Sequence, residues 1–181
     1  MIIREQLFSL VEIEKIKQFI ILEEGNIKKI GPSVYPGTSS DSLTGRFPFY
    51  NFLNSNIGTL IKNKLFPFLD KLNFIRPLSI QCWANTFRKG EGINIHKHSN
   101  NNLFFYCANI FISGNKNIGT IFVKEDKHRK FENNPGEIML FDSQYHHLVQ
   151  PNTDEEIRIS MALDIHENKK IIDNKRFYIY D

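Results

Sequence analysis

The spacing of apolar residues changes at Pro77, and this change sets the fold class. Beyond Pro77 apolar residues recur at every second position, in short runs separated by the turn-forming stretches KGEG, SGNKNIG, NNPGE and PNTDEE. Period-two alternation is typical of half-buried strands, and many short strands between turns favour a barrel or jelly roll. We therefore predict a mainly β protein with strands at 78–87, 93–98, 104–112, 120–124, 137–141, 147–150, 156–165 and 177–180.

The residues before Pro77 are predicted to be helical. Apolar positions recur at helical spacing over 10–22, where Ser9 is a candidate N-cap and Gly25 a stop signal. A second helix is predicted within residues 51–74, interrupted or ended near Pro67. Both helices are expected to pack on one outer face of the β structure. The loop between them, residues 31–47, is long for a connector and is a candidate lid.

Length and charge limit the organisation and the partners. A chain of 181 residues with 41% hydrophobic content suits one domain, in which residues 1–76 provide helical support and residues 77–181 form the β core. The net charge is only +3 and the basic residues are scattered, so we expect no nucleic-acid partner. The N-terminus lacks the uncharged apolar stretch of a signal peptide or membrane span. We expect a cytoplasmic protein; its oligomeric state is not predicted.

The stretch INIHKHSN, residues 93–100, suggests a metal site. In a strand, residues two apart share a face, so His96 and His98 project together. Imidazole is a common ligand of zinc, iron, copper and nickel. A pair of surface histidines on a strand edge is the alternative.

Two later segments carry further polar residues. In FDSQYHHLVQPN, His146 and His147 face opposite ways on a strand, so at most one of them joins a site with the first pair. In IRISMALDI, Arg158 and Ser160 share the polar face of a strictly alternating strand. A buried arginine needs an anionic partner, whereas an exposed strand face would leave it in solvent. Asp164 on the same face is expected to be a strand-end charge; the alternative is a carboxylate that orients a ligand histidine.

The order of these segments resembles the iron(II)- and 2-oxoglutarate-dependent oxygenases of the double-stranded β-helix fold. The resemblance covers residues 79–165 and is closest to the small prolyl-4-hydroxylase-like members from phages and bacteria. It implies a double-stranded β-helix, also described as jelly roll or cupin-like, with the N-terminal helices packed on one face.

The resemblance assigns roles to individual residues. His96 and His147 match the first and distal iron ligands, and Arg158 and Ser160 match the R-x-S pattern that holds the far carboxylate of 2-oxoglutarate. His98 stands where most members have a carboxylate, which makes the ligand set more positive by one charge. A second register would place His98 first and Asn100 at the carboxylate position. Tyr106 and Asn109 are further candidate contacts of the cosubstrate.

The implied activity is a 2-oxoglutarate-dependent dioxygenase with Fe(II), 2-oxoglutarate and O2. Such an enzyme hydroxylates a C–H bond and releases succinate and CO2; the expected substrate is a peptidyl or free amino acid, hence a small molecule or peptide. One alternative is a three-histidine cupin-like metal dioxygenase that does not use 2-oxoglutarate and would not need Arg158 or Ser160. The other is a non-catalytic jelly-roll binding module.

Overall fold

The computed structural model describes residues 2–29, 50–98, 105–125, 127–171 and 176–181. Within them, ten strands form two antiparallel sheets. The strands are β1 Ile2–Gln6, β2 Leu78–Phe87, β3 Ile93–His96, β4 Tyr106–Ser113, β5 Thr120–Lys124, β6 Lys127–Phe131, β7 Glu137–Asp142, β8 His146–Val149, β9 Arg158–His166 and β10 Tyr178–Tyr180. The prediction of a mainly β protein is confirmed.

The two sheets face each other. The large sheet has the strand order β1-β7-β4-β9-β2-β10, and the small sheet has the order β3-β8-β5-β6. Apolar side chains from both sheets form one cluster between them, in which Phe122 and Phe131 of the small sheet meet Met139 and Phe141 of the large sheet. Pairs of antiparallel sheets bury their inner faces in this way. The site described below lies in the same interior.

Most predicted strands are present with boundaries shifted by no more than two residues, but two strands were missed. β1 belongs to the N-terminal segment, which was predicted to be helical support, and it pairs with β7. β6 lies between the predicted strands 120–124 and 137–141, where no strand was predicted, and it forms a hairpin with β5. The N-terminal segment therefore supplies an edge strand as well as helices.

Helix α1 spans Leu10–Lys28, which is longer than predicted. Ser9 caps it as expected: its side chain accepts from the backbone N–H of Glu12, and Glu12 accepts from the backbone N–H of Ser9. Gly25 does not stop the helix, which continues for another turn through the buried Ile27. A glycine inside a helix costs about 1 kcal/mol relative to alanine, and burial of one apolar side chain offsets this.

The second helical segment begins with a short 3₁₀ helix, Phe52–Asn54, and continues as helix α2, Gly58–Lys71. Pro67 lies inside α2, so the expectation that it interrupts or ends the helix is wrong. Proline lacks the N–H that would bond to Asn63. The buried side chains Leu65, Phe68 and Leu69, on both sides of the proline, anchor the helix to the core.

The alternation of β9 separates two environments. Its apolar residues, Ile159, Met161, Leu163 and Ile165, join the buried α1 and α2 side chains in one core cluster. Both helices therefore cover the same face of the large sheet, as predicted. Arg158, Ser160 and Ala162 alternate with these residues and point between the sheets.

The remaining points concern the cysteines, membrane-spanning helices and two predicted features. Cys82 and Cys107 are free and buried. Neither described helix is both long and apolar enough to cross a membrane. The candidate lid at residues 31–47 and the alternative metal ligand Asn100 lie outside the described residues.

Candidate metal centre

Three histidines converge in the space between the sheets. His96 ends β3, His98 follows two residues later, and His147 lies on β8 directly opposite His96. Their ligand nitrogen atoms all lie within 4.8 Å of one another. The ring centroids are 4.3 Å apart for His96 and His147 and 5.3 Å apart for each of them and His98. The structure therefore brings together the predicted ligand set.

Each of these rings uses Nδ1 for a hydrogen bond within the protein. His96 Nδ1 lies 2.9 Å from the carbonyl oxygen of Asn94, and His147 Nδ1 lies 3.0 Å from that of Tyr145. A carbonyl only accepts, so each Nδ1 carries the hydrogen and each Nε2 keeps its lone pair. His98 Nδ1 lies 2.7 Å from a carboxylate oxygen of Asp164. This is the arrangement of metal-binding histidines, whose second ring nitrogen is held by an acceptor.

Burial and charge set the protonation of the three histidines. Burial lowers the pKa of His96, and it lowers the pKa of His147 well below its ordinary value, with an added contribution from the neighbouring histidines. A neutral imidazole is the form that binds a metal. Burial also lowers the pKa of His98, but the charge and the hydrogen bond of Asp164 outweigh burial, so the pKa of His98 is raised.

A second group of metal-ligand types overlaps the first. His98, Cys107 and Asp164 also lie within ligand distance of one another. However, the thiol of Cys107 donates to Asp164 at 3.2 Å, and burial together with the Asp164 charge raises the pKa of Cys107 well above its ordinary value. A cysteine binds a metal as the thiolate, and the raised pKa keeps Cys107 a thiol. The three-histidine set therefore fits a divalent transition metal better, with Asp164 as the carboxylate that orients His98.

Arg158 is completely buried at the start of β9, between the rings of Phe87 and Phe111. Its Nε donates to the carbonyl oxygen of Ile118 at 3.0 Å, and its Nη1 donates to Ser160 Oγ at 3.4 Å. Its Nη2 is buried without a partner among the described residues. Burial lowers the pKa of Arg158 to about 10, so the group remains a cation at neutral pH.

Gly114 makes room for this arginine. It has φ +105°, a conformation that side chains other than glycine rarely adopt, and an added Cβ would lie 2.7 Å from Arg158 Cα. The position of Arg158 therefore depends on a glycine at the end of β4.

Thr120 was not singled out from the sequence. Its hydroxyl is buried without a hydrogen-bond partner among the described residues, and its side chain lines the cavity that holds the histidines. Thr120 begins β5, two residues after Ile118, whose carbonyl accepts from Arg158. An unpaired hydroxyl in the cavity wall, close in sequence to the carbonyl that binds Arg158, fits a carboxylate ligand. The only sequence signal was a polar residue at a strand start, which is common.

The cavity has a volume of about 560 Å³, which includes its open mouth. Asn109, a predicted cosubstrate contact, lines it, as do Trp83 and Asn85, which are joined by a 3.1 Å hydrogen bond. Arg158 is not part of its lining, so a ligand carboxylate reaches the guanidinium only if the wall between them moves.

Tyr106 is the one predicted contact that the structure places elsewhere. It lies on the opposite face of β4 from Cys107 and Asn109, and its ring packs edge-on against Phe74 at a centroid distance of 5.0 Å. Adjacent strand residues point to opposite faces, so Tyr106 belongs to the helix side of the sheet. The structure therefore does not place Tyr106 beside the three histidines.

Neither a protein-family profile nor a curated protein sequence matches this chain. Solved structures do resemble it. A prolyl-4-hydroxylase from Pseudomonas putida has a TM-score of 0.57 and 12% identity, with 93% of each chain covered. A prolyl hydroxylase from Trichoplax adhaerens, solved with a peptide fragment of the hypoxia inducible factor oxygen degradation domain, has a TM-score of 0.63 and 18% identity over 92% of this chain and 83% of that one.

A viral collagen prolyl hydroxylase from Paramecium Bursaria Chlorella virus-1 has a TM-score of 0.64 and 12% identity, over 93% of this chain and 90% of that one. That enzyme has also been solved as a 2OG complex. At these identities the likeness concerns the fold alone, which is a jelly roll. The predicted double-stranded β-helix is therefore confirmed.

Proposed function

We propose that the protein is an iron(II)- and 2-oxoglutarate-dependent oxygenase that hydroxylates a C–H bond of a peptidyl or free amino acid. The observation that carries the proposal is the convergence of His96, His98 and His147, each with Nδ1 engaged and Nε2 left for a metal. When bound, iron(II) supplies the oxidation: one atom of O2 enters the substrate C–H bond as hydroxyl, and the other enters succinate as 2-oxoglutarate loses CO2.

The protein's own residues hold and orient these reactants. The three histidines fix the metal, and Asp164 holds His98 in the tautomer that exposes Nε2. Arg158, positioned by Ser160 and Ile118, pairs with the far carboxylate of 2-oxoglutarate through its free Nη2, and Thr120 donates its hydroxyl to the same carboxylate. Trp83, Phe141 and Val149 form an apolar part of the cavity lining, which helps to exclude water.

The unpaired Arg158 also separates this proposal from the alternatives. A three-histidine dioxygenase without 2-oxoglutarate is favoured by the ligand set itself, which has no directly coordinating carboxylate. Such an enzyme has no use for a buried cation with a free donor. A buried charge without a partner is costly, and a carboxylate ligand removes that cost.

The test is an anaerobic titration of the metal-free protein with iron(II) and then with 2-oxoglutarate, followed by visible absorption. Chelation of the cosubstrate to iron is expected to give a metal-to-ligand charge-transfer band. His147→Ala should abolish the band. His146→Ala, which alters the adjacent exposed histidine on the other face of β8, is the matched control and should keep it.

Three results would decide between the functions. Iron binding without a band would favour the three-histidine dioxygenase. Absence of both would favour a non-catalytic module. A band in the wild type, followed by succinate formation in air, would support the oxygenase, and candidate peptides and amino acids can then be screened by mass increase of one oxygen atom.

A further inference from the structure

We propose that a basic groove beside the metal centre binds an acidic segment of a peptide substrate. The groove lies between the edge strand β1 of the large sheet and the β5–β6 hairpin of the small sheet. We call it the β5–β6 groove; its lining includes Arg4, Phe122, Lys124, Lys127, Arg129 and Tyr145. The inference extends the proposed function, because the bound peptide is a substrate only if the protein is an oxygenase.

The strand register connects the groove to the metal centre. His96 pairs with His147, His147 pairs with Phe122, and Phe122 pairs with Arg129, on four successive strands. Directly opposite residues of antiparallel strands share a face, so these four side chains form one row. Strands lie about 4.8 Å apart, which places the Arg129 backbone about 10 Å from that of His147.

The basic side chains of the groove are held towards this row. The guanidinium of Arg129 lies over the ring of Phe131 at 4.6 Å, and that of Arg4 lies 5.7 Å from the same ring. Phe131 belongs to the cluster between the sheets. Arg129 therefore points to the side on which the histidines lie, although its own side chain is exposed.

Arg4 is paired with Glu137, and Glu125 also lines the groove, so within the described residues three unpaired basic side chains, Lys124, Lys127 and Arg129, face one carboxylate. Lys124 lies directly opposite Lys127, and like charges at opposite positions destabilise a strand pair. No ion pair joins these lysines or Arg129 to a carboxylate in the part of the chain that the structure describes. An anionic ligand would offset this repulsion.

An extended peptide fits this place better than a nucleic acid. A peptide that crosses the β5–β6 hairpin from the metal centre reaches β6, which is the last strand of its sheet among the described strands and has free outer main-chain groups. Basic residues on an edge strand discourage pairing with other copies of a basic chain, but not with an acidic peptide. Phe122 and Phe131 are buried, so they offer no surface on which bases stack.

The spacing sets the expected position of the acidic residues. An extended peptide advances about 3.3 Å per residue, so 10 Å corresponds to about three residues. Lys124, Lys127 and Arg129 have long side chains that widen this range. We expect glutamate or aspartate about three to five residues from the modified residue.

The test uses fluorescence anisotropy with the protein loaded with nickel(II) and 2-oxoglutarate. The probes are a labelled twelve-residue peptide with glutamates flanking a central proline and the same peptide with glutamine in their place. The glutamate peptide should bind at least about tenfold tighter at low salt, and the difference should shrink at high salt because exposed charges are screened.

Two triple variants distinguish an effect of the groove residues from an effect of the protein's net charge. Lys124→Gln, Lys127→Gln and Arg129→Gln together should abolish the preference for glutamate. Lys15→Gln, Lys116→Gln and Lys169→Gln remove the same charge from exposed positions outside the groove and should leave it intact. Equal binding of both peptides, or equal behaviour of both variants, would overturn the proposal.

The last probe in the anisotropy experiment is a labelled dodecamer of deoxythymidine, which tests for binding of nucleic acid. Binding of this oligomer as tightly as the glutamate peptide, with loss in the groove variant, would overturn the assignment to a peptide. The charge-transfer band reports separately on the proposed function. A band with no peptide preference would reject the groove alone, whereas a preference without a band would reject the oxygenase and keep the groove as a peptide-binding surface.

Discussion

His98 Nδ1 lies 2.7 Å from Asp164 Oδ1, which connects the segment that follows β3 to β9 of the facing sheet. Three neutral histidines leave the charge of a divalent metal uncompensated, whereas two histidines and a carboxylate reduce it by one. Asp164 returns that negative charge to the immediate surroundings of the metal. It also fixes the tautomer of His98, since an Nδ1 that donates leaves Nε2 unprotonated.

Removing the charge of Asp164 should weaken metal binding. We expect Asp164→Asn to lower iron(II) affinity by about 10- to 100-fold, because the amide does not hold the His98 ring as a charged acceptor does. Competition with a chelator under anaerobic conditions measures this. Asp142→Asn is the control, since the Asp142 carboxylate accepts from the Gln144 backbone in a turn. Equal affinities in both variants would remove Asp164 from the site.

The grouping of His96 and His98 was predictable from the sequence because residues two apart in a strand share a face, and Arg158 and Ser160 follow the same rule on β9. The role of Asp164 was not, since it depends on which strand lies opposite β3. The same applies to Thr120, which differs from other buried threonines only in lacking a partner. Contacts between sheets are non-local, and a single sequence carries little information about them.

Arg158→Met should separate cosubstrate binding from stability. We expect 2-oxoglutarate affinity to fall at least about tenfold, since a charged pair with a carboxylate is lost. The free energy of unfolding without cosubstrate should change by less than about 1 kcal/mol, because the lost hydrogen bonds are offset by removal of an unpaired buried charge. Calorimetric titration and urea unfolding measure the two quantities.

Arg158→Lys sharpens this experiment. Lysine keeps the charge but not the planar fork, so the affinity for 2-oxoglutarate should lie between those of the wild type and the methionine variant. Unchanged affinity in both variants would contradict the role of Arg158, whatever their stability.

Thr120→Val should raise stability and lower cosubstrate affinity. The two side chains have nearly the same shape, and the hydroxyl of Thr120 is buried without a partner among the described residues. Removing an unsatisfied polar group should increase the free energy of unfolding by about 1 kcal/mol. Thr86→Val is the matched control, because Thr86 is buried with a partner and its replacement should destabilise. Destabilisation in both variants would show that Thr120 is satisfied.

The fold was predictable where the hydrophobic pattern reflects burial. β2 and β5 match the predicted limits, because their pattern and flanking turns agree. β6 reads KHRKF and is exposed over its first four residues, so an edge strand of this kind has no alternation to detect. α2 continues through Pro67 because tertiary packing of Leu65 and Leu69 overrides local preference.

The cap of α1 should make stability depend on pH. Hydrogen bonds from Ser9, with the charge of Lys64 at 3.1 Å, lower the pKa of Glu12 from 4.5 to about 2. A depressed pKa in the folded state contributes stability above the unfolded value, and this contribution is lost as the pH falls through the folded value. The stability difference between the wild type and Glu12→Gln should therefore be constant above pH 5.5 and shrink between about pH 4.5 and 2.

Urea unfolding at several pH values measures this difference. Ser9→Ala should cost about 1 kcal/mol at neutral pH, because the N-cap is lost. It should also reduce the pH dependence assigned to Glu12, because the Ser9 hydroxyl no longer donates to the carboxylate. Part of the dependence should remain, because the backbone N–H of residue 9 and the charge of Lys64 still act on Glu12. Glu14→Gln takes a carboxylate from the same helix outside the cap and controls for charge. A difference for Glu12→Gln that stays constant down to pH 2 would show that the capping box does not stabilise the ionised carboxylate.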